Sequence, residues 1–389
     1  MVNIKNEDII IFGKPGYNTL GLIRCLQREG VRFFLLIVQF NSLYATLLSK
    51  GVKSYKIVKT EEEGVDFLLN IVNPDKRKVI IPTSDKVELL LDKNFDLLKE
   101  NYFFPNAGTP GRVAFCMDKY VMLGYAKQND IIIPYTCVYN IDDELPNNIV
   151  FPCLIKPKTS CNGSKADIAI CETRDELVCA LRKSKVTQSF LIQEYVQKDY
   201  DILVIGSRLQ STGEVIFQGV FKKERWSEVG GDGSFGLIDA NVSSYVDVDK
   251  LTNFLLDLNY YGPFSLEFGC AKGRLYFFEI NMRNDGTSHY FAKLGTNVAL
   301  LWALDALGMD VSSKKYYKGE MFFIDEIGDV INVFTTKLKF KDWIRDFRRA
   351  KVYKYFDKSD ILPFLFLFPR RFLKTIWLIL KKGNNEYEK

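Results

Sequence analysis

Two apolar runs late in the chain, Gly262-Pro-Phe-Ser-Leu-Glu267-Phe-Gly and Leu275-Tyr-Phe-Phe-Glu279-Ile-Asn281-Met-Arg283, are separated only by a turn around Ala271-Lys272-Gly273. Aromatic and aliphatic runs flanking a glycine turn predict a hairpin of two strands. Glu279 and Asn281 stand two apart, so a strand puts both on one face, and Arg283 continues that face. If the hairpin closes around Gly273, Glu267 falls opposite Glu279. Two carboxylates and an amide oxygen are then gathered on an element whose Tyr276, Phe277, Phe278 and Ile280 favour burial. Buried carboxylates are costly unless they are paired or hold metal. Hard oxygen donors of this kind suit one or two Mg2+ ions that also keep water and phosphate oxygens. Arg283 could neutralise phosphate charge beside them. The alternative is a solvated strand face with an ordinary ion pair, and the flanking aromatic residues argue against it.

The rest of the chain must support that element. Its 389 residues suffice for two or three packed units. Near the start, strand-like runs at Ile9 to Phe12, Phe33 to Val38, Tyr55 to Val58 and Val79 to Ile81 alternate with a helix from Asn18 to Glu29 and another near Leu43. This is the βαβα order of a parallel sheet. Between the first strand and helix, Gly13-Lys14-Pro15-Gly16-Tyr17-Asn18 permits a tight turn and exposes helix N-terminal amides to an anion. A turn that needs glycine for its conformation alone reads equally well. Thr109-Pro110-Gly111 marks a boundary, followed by a helix from Val113 to Gln128 and a second unit opening with the strand Phe151 to Pro157. Further strands are expected at Ala166 to Cys171, Phe190 to Tyr195, Ile202 to Ile205 and Val215 to Phe221. Thr173-Arg174-Asp175-Glu176 reads as a capping box, and Gly230-Gly231-Asp232-Gly233 as a glycine-rich loop.

Lys156 ends an apolar strand beside Thr159-Ser160-Cys161-Asn162-Gly163-Ser164-Lys165. A lysine at a strand end next to a loop of small residues can contact phosphate while loop amides fold over it; an ordinary hairpin turn is the other reading. Gln193-Glu194-Tyr195-Val196 leaves backbone groups for a nucleotide base, with Asp199 placed for ribose hydroxyls, or is simply a strand exit. Eight cysteines without a CxxC pair and a single histidine, His289, argue against zinc. With the polar start of the chain they point to a reduced, cytoplasmic setting. His289 lies near the hairpin in sequence, as a structural residue or a substrate contact.

The order of these elements resembles the ATP-grasp superfamily, particularly its carboxylate–amine ligases, such as D-aspartate ligase and the carbamoyl-phosphate-synthase-like proteins, over roughly residues 8 to 310. The resemblance implies an α/β and α+β protein: a Rossmann-like pre-ATP-grasp domain (1–112) that helps bind the acceptor, then an ATP-grasp domain (113–315). It implies ATP and Mg2+ as cofactors. Lys119 and Lys156 would contact phosphate, with Ser160, Gly163 and Ser164 in the covering loop; Glu194 and Val196 would hold adenine, and Asp199 the ribose. Glu267, Glu279 and Asn281 would carry Mg2+, while Arg283 and Arg225 would stabilise the transition state. The implied reaction attacks the γ-phosphate with a carboxylate and passes the acyl phosphate to an amine, releasing ADP and phosphate. A non-catalytic nucleotide-binding scaffold is the reading from another class.

Charge is uneven along the chain. Net charge is +5, yet from Lys337 onward fifteen basic residues face six acidic ones. This argues against a nucleic-acid surface spread over the whole chain and isolates residues 316–389 as a helical extension for anionic partners. Trp343, Phe347 and Val352 alternate with Arg345, Arg348, Arg349, Lys351 and Lys354 between Asp342 and Tyr355. The apolar runs after Ile361 are broken by Pro369, Arg370, Arg371 and Lys374, too short to span a bilayer. They predict a segment lying in a membrane interface, with packing on the protein or on a dimer partner as the alternative. Membrane association would favour envelope or capsule precursors as substrates.

Overall fold

The computed structural model describes residues 8–39, 45–71, 76–140, 143–157, 168–183, 189–227, 233–295, 297–312, 318–335, 338–371 and 373. The first unit runs β1 (Ile9–Gly13), α1 (Tyr17–Arg28), β2 (Phe34–Val38), β3 (Ser54–Val58), α2 (Glu61–Leu69), β4 (Lys78–Pro82), α3 (Asp85–Lys93), α4 (Phe95–Leu98) and β5 (Tyr102–Phe103). Its strands pair in parallel in the order β3-β2-β1-β4-β5. Such a sheet is covered on both faces, which is why Ile9 to Phe12 form an unbroken apolar run. Ile10 and Phe12 enter one core with Phe34 and Ile80, while Ile9 and Ile11 enter another with Leu35 and Ile81. The helix expected near Leu43 falls partly on residues 40–44, outside the described residues, and Ala45–Leu48 form a single 3-10 turn.

The expected helix from Val113 to Gln128 is two helices, α5 (Arg112–Cys116) and α6 (Lys119–Gln128). Asp118 divides them: its backbone is extended, and its carboxylate accepts from the amides of Tyr120 at 2.9 Å and Val121 at 3.2 Å. A small unit follows, comprising β6 (Thr136–Asn140), β7 (Cys153–Pro157), β8 (Ala169–Cys171), α7 (Arg174–Lys183) and β9 (Ser189–Glu194). Its sheet is antiparallel in the order β6-β9-β7-β8. Half of the capping box forms as read: Thr173 accepts from the Glu176 amide, whereas the Glu176 carboxylate accepts from the Glu172 amide, one residue before the cap.

The remaining elements are β10 (Tyr200–Arg208), β11 (Val215–Trp226), β12 (Gly233–Asp239), α8 (Val248–Leu258), β13 (Gly262–Ala271), β14 (Arg274–Asn281), α9 (Ser288–Phe291), α10 (Val298–Ala306), β15 (Glu320–Ile324), α11 (Val330–Phe334), α12 (Phe340–Arg349) and β16 (Ala350–Tyr353). Seven strands make one sheet in the order β14-β13-β10-β11-β12-β15-β16. The β13–β14 turn has positive φ at both Lys272 (49°) and Gly273 (75°), the conformation that matches strand twist and that glycine favours. Of the Gly230 to Gly233 loop only Gly233 is described, opening β12. Helix α10 adds Trp302 and Ala303 to the first unit's core and also contacts β10 and β13, so it glues the two sheets together.

The stretch after residue 316 is not helical throughout. It supplies β15 and β16 to the large sheet, and the basic amphipathic segment leaves helical conformation at Ala350. From there Ala350 and Val352 are buried while Lys351 is exposed, the alternation of a strand paired with β15. The last residues of the expected membrane segment, 374 onward, lie outside the described residues.

Candidate active site

The pairing of β13 with β14 sets Glu267 opposite Glu279 and Ser265 opposite Asn281. Helix α6 runs across β14, anchored where the Ile280 amide meets Met122 Sδ at 3.2 Å. Because Asp118 fixes the start of α6, Lys119 is delivered to this face, and its Nζ lies 2.7 Å from Glu279 Oε2. Burial works against the Glu279 charge, but Lys119, Lys156 and Arg283 outweigh it and hold the carboxyl below its usual range. Glu267 differs. Burial pushes its carboxyl up, with Glu279, Asp285 and Asp201 adding to that against Lys223. Among the described residues its only hydrogen bond is a long one, 3.4 Å from Asn281 Nδ2.

Lys156 comes from the end of β7 and is 9% exposed. Its Nζ donates to Gln193 Oε1 at 2.9 Å, and Gln193 Nε2 donates to Thr136 Oγ1 at 2.7 Å. Burial, reinforced by Lys119, brings the ammonium down to about 8. Lys119, Lys156, Lys223, Glu267 and Glu279 share a cavity of about 270 Å³ with apolar walls from Leu154, Ile168, Val196, Ile202, Phe268 and Phe278. Four lysines and three carboxylates, counting Lys198 and Asp201, stand among these apolar walls and suit a ligand that is aromatic at one part and polyanionic at another. Among the described residues no three His, Cys, Asp or Glu side chains are placed to hold a metal unaided. Two carboxylates fit Mg2+ when phosphate and water complete its shell; Asn281 turns its Nδ2 to Glu267 and its oxygen to Arg283, so its oxygen joins them only with the amide reversed.

Arg283 links this face to the first unit. Its Nε donates to Asp85 Oδ1 at 2.6 Å, Nη1 to the Asn284 carbonyl at 3.2 Å and Nη2 to Asn281 Oδ1 at 3.4 Å. Burial disfavours the guanidinium charge, and Asp85 and Asp285 more than offset it. Beside it, Asn18 and Asn284 exchange hydrogen bonds of 2.8 and 2.6 Å, tying the β1–α1 turn to the end of β14. Gly13 is required here on steric grounds, since a Cβ would sit 1.9 Å from Thr83 Oγ1, whereas Gly16 is extended and has open space.

The other sequence-predicted residues divide between the cavity and other parts of the fold. Arg225, on β11, spans two buried carboxylates: Nη2 meets Asp329 Oδ2 at 2.8 Å and Nη1 meets Asp346 Oδ2 at 2.7 Å, with the guanidinium over Phe235. The Glu194 carboxylate accepts from the Tyr135 amide, and Asp199 from the Lys272 amide. Val196 lines the cavity, as do Lys198 and Asp201, which pair at 2.8 Å. Ser160, Gly163 and Ser164 fall outside the described residues. His289 is 2% exposed and wedged against α1, where a Cβ on Gly21 would come within 2.9 Å of its own Cβ; burial keeps the ring neutral. Sequence reading missed Gln193 as the partner of Lys156, Lys223 in the cavity, and Asp85 on Arg283. Lys223 was the accessible one, because it sits in the same charged run as Arg225. Asp85 belongs to a segment 198 positions from its partner and carries no local mark.

No family model matches the sequence, and no curated protein matches it. Solved structures do match. N5-carboxyaminoimidazole ribonucleotide synthetase, in an ADP complex, superposes with a TM-score of 0.65 at 12% identity, covering 86% of each chain. The L-amino acid ligase of Bacillus licheniformis gives a TM-score of 0.59 at 17% identity, covering 82% of this chain and 79% of that one. The biotin carboxylase domain of Hydrogenobacter thermophilus 2-oxoglutarate carboxylase, with MgADP and bicarbonate, gives 0.61 at 15% identity over 81% and 73%. At such identities the likeness is one of architecture alone, the course of the chain through a parallel first sheet, a small antiparallel unit and a large sheet. The chain therefore has the ATP-grasp fold.

Proposed function

We propose that the chain binds Mg-ATP and uses it to join a carboxylate to an amine, with release of ADP and phosphate. The observation that carries this reading is the Lys119–Glu279 ion pair beside Lys156 and Glu267 in one cavity with apolar walls. Leu154, Val196 and Phe268 would enclose the base, with backbone groups of Glu194 to Val196 beside it, and Lys119 and Lys156 would bind the phosphates. Glu267, Glu279 and Asn281 would hold Mg2+, which supplies charge neutralisation for the phosphate oxygens. Arg283 is oriented by Asp85 and keeps a full positive charge next to Asn281, where phosphoryl transfer builds negative charge. A substrate carboxylate oxygen attacks the γ-phosphorus as ADP leaves. The amine then attacks the acyl carbon and expels phosphate, which takes up the proton the nitrogen loses. The turn from Gly13 to Asn18, tied to Asn284, is the proposed border of the acceptor site. The work is mainly positioning and charge stabilisation, so little acid–base chemistry is asked of the protein.

We place the protein in the cytoplasm, peripheral to an anionic membrane, with envelope or capsule precursors as the substrate class; the basic, apolar C-terminal part supports this. The test is phosphate release from Mg-ATP against a panel of carboxylates and amines, with Glu279→Gln as control. Release that requires one acid and amine together, and is lost in Glu279→Gln, is the expected result. ATP binding with no turnover on any pair would favour a scaffold, and no ATP binding would overturn the reading.

A further inference from the structure

Residues 362–371 form a helix reading Leu362-Pro-Phe-Leu-Phe-Leu-Phe-Pro-Arg-Arg371, apolar all round until its last turn. A helix of that composition belongs inside protein or in lipid. Here one side is covered: Phe364 meets Phe356 at 5.4 Å and Phe368 at 5.3 Å, and Pro363 is buried. Leu362 and Leu365, three apart along the helix, expose 48 and 57% of their surface, and Leu373 beyond them exposes 66%. Neighbouring apolar side chains left open to this extent mark an interaction surface.

The charges beside it select the partner. Arg370 and Arg371 are exposed and stack over Phe366 and Tyr355 at 4.8 and 4.4 Å; among the described residues neither meets a carboxylate. Arg348, Lys351 and Lys358, on the segment that leads to the helix, are exposed as well. A row of rings, Phe340, Trp343, Phe347, Tyr353 and Phe356, connects that segment to Phe364 with successive centroids no more than 6.0 Å apart. A second copy of the chain would set this positive charge against itself. An anionic lipid surface meets both demands, receiving the apolar face at the acyl boundary and the guanidinium groups among its phosphates.

We propose that helix 362–371 is the element by which this protein docks on anionic lipid, through Leu362, Leu365 and the Arg370–Arg371 pair. The inference rests on the peripheral-membrane part of the reading above, and its test needs neither ATP nor turnover, so it can fail while the ligase reading stands. The full chain is sedimented with vesicles of phosphatidylcholine alone, or of phosphatidylcholine and phosphatidylglycerol in equal parts. Binding is expected on the anionic vesicles only, weakened by salt. Arg370→Glu with Arg371→Glu should lower the bound fraction about tenfold or more, given roughly 1 kcal/mol per basic residue near such a surface. Leu365→Glu should do the same while leaving the thermal midpoint unchanged, because Leu365 is exposed. Wild-type protein that stays in the supernatant, or variants that bind as wild type does, would overturn the proposal. A Leu365→Glu variant that turns a dimer into a monomer in sedimentation without altering vesicle binding would assign the face to a second copy instead.

Discussion

Enclosed by Lys119 and Gln193, the Lys156 ammonium gives up its proton near pH 8, not near 10.5. Phosphate in the cavity would restore the charge, so binding above that pH must take up a proton. ATP affinity is expected to hold steady at neutral pH and to fall above pH 8 by up to about tenfold per unit. Titration calorimetry in buffers of different ionisation enthalpy reads both the affinity and the proton. Lys156→Arg, which stays charged, should flatten the profile. Stability runs by the same group. Below pH 8 folded and unfolded chains both hold the proton and the burial penalty is in full force. Between about 8 and 10.5 the unfolded chain alone keeps it, so stability rises with pH across that window. Glu279→Gln removes the partner of Lys119 and one metal-type oxygen charge. It is expected to slow phosphate release by about a hundredfold or more and to lower the unfolding midpoint, because the ionised carboxyl that its cationic neighbours favour is lost.

Arg225 shows how an element can claim a residue that sequence reading gives to chemistry. It joins β11 to the approach to α11 and to α12 through Asp329 and Asp346, which are 0 and 4% exposed. Arg225→Ala leaves Asp329 buried without a cation, while Asp346 keeps Arg345 at 3.1 Å; the expected cost is about 3 kcal/mol of stability, measurable in urea. Phosphate release per folded molecule should remain near wild type; a specific loss of turnover with normal stability would restore the catalytic role. The first sheet was legible because burial on both faces turns β1, β2 and β4 into plain apolar runs. The hairpin was legible because Lys272-Gly273 suits its turn and period-two spacing then fixes which side chains share a face. Strands β15 and β16 were not: Glu320 to Ile324 and Ala350 to Tyr353 are short, and neither glycine nor proline marks where α12 stops. The site divides likewise. Lys156, Glu267 and Glu279 stand on strands with readable local marks and Arg283 lies two residues past one, while Lys119 was named only by the family resemblance. Gln193 and Asp85 matter only through contacts that folding creates.

At the scale of the molecule, the segment from Asp325 to Asp360 is a strap across both sheets. At one end buried Asp325 takes Lys354 at 2.9 Å, and the Glu326 carboxylate caps the amides of Lys354, Tyr355 and Phe356. At the other, Asp360 receives Arg24 at 3.0 Å, Ser49 at 2.8 Å and the Lys50 amide at 2.9 Å, all from the first unit. Asp357 stays ionised despite burial through Ser359, Lys293 and Arg28. Asp360→Ala strands Arg24, 2% exposed, without a counterion, and is expected to cost about 3 kcal/mol or more. A lower urea midpoint together with earlier proteolysis of the first unit would register it. The order of strands in the large sheet has one more consequence, for synthesis. β12 gains its outer neighbour β15 only after α8, the hairpin and α10 have been made. Until then a nascent chain presents the backbone from Phe235 to Asp239 as an open edge, a template for a second chain in the same state. Products cut short before β15 are therefore expected in inclusion bodies, not as a smaller folded protein.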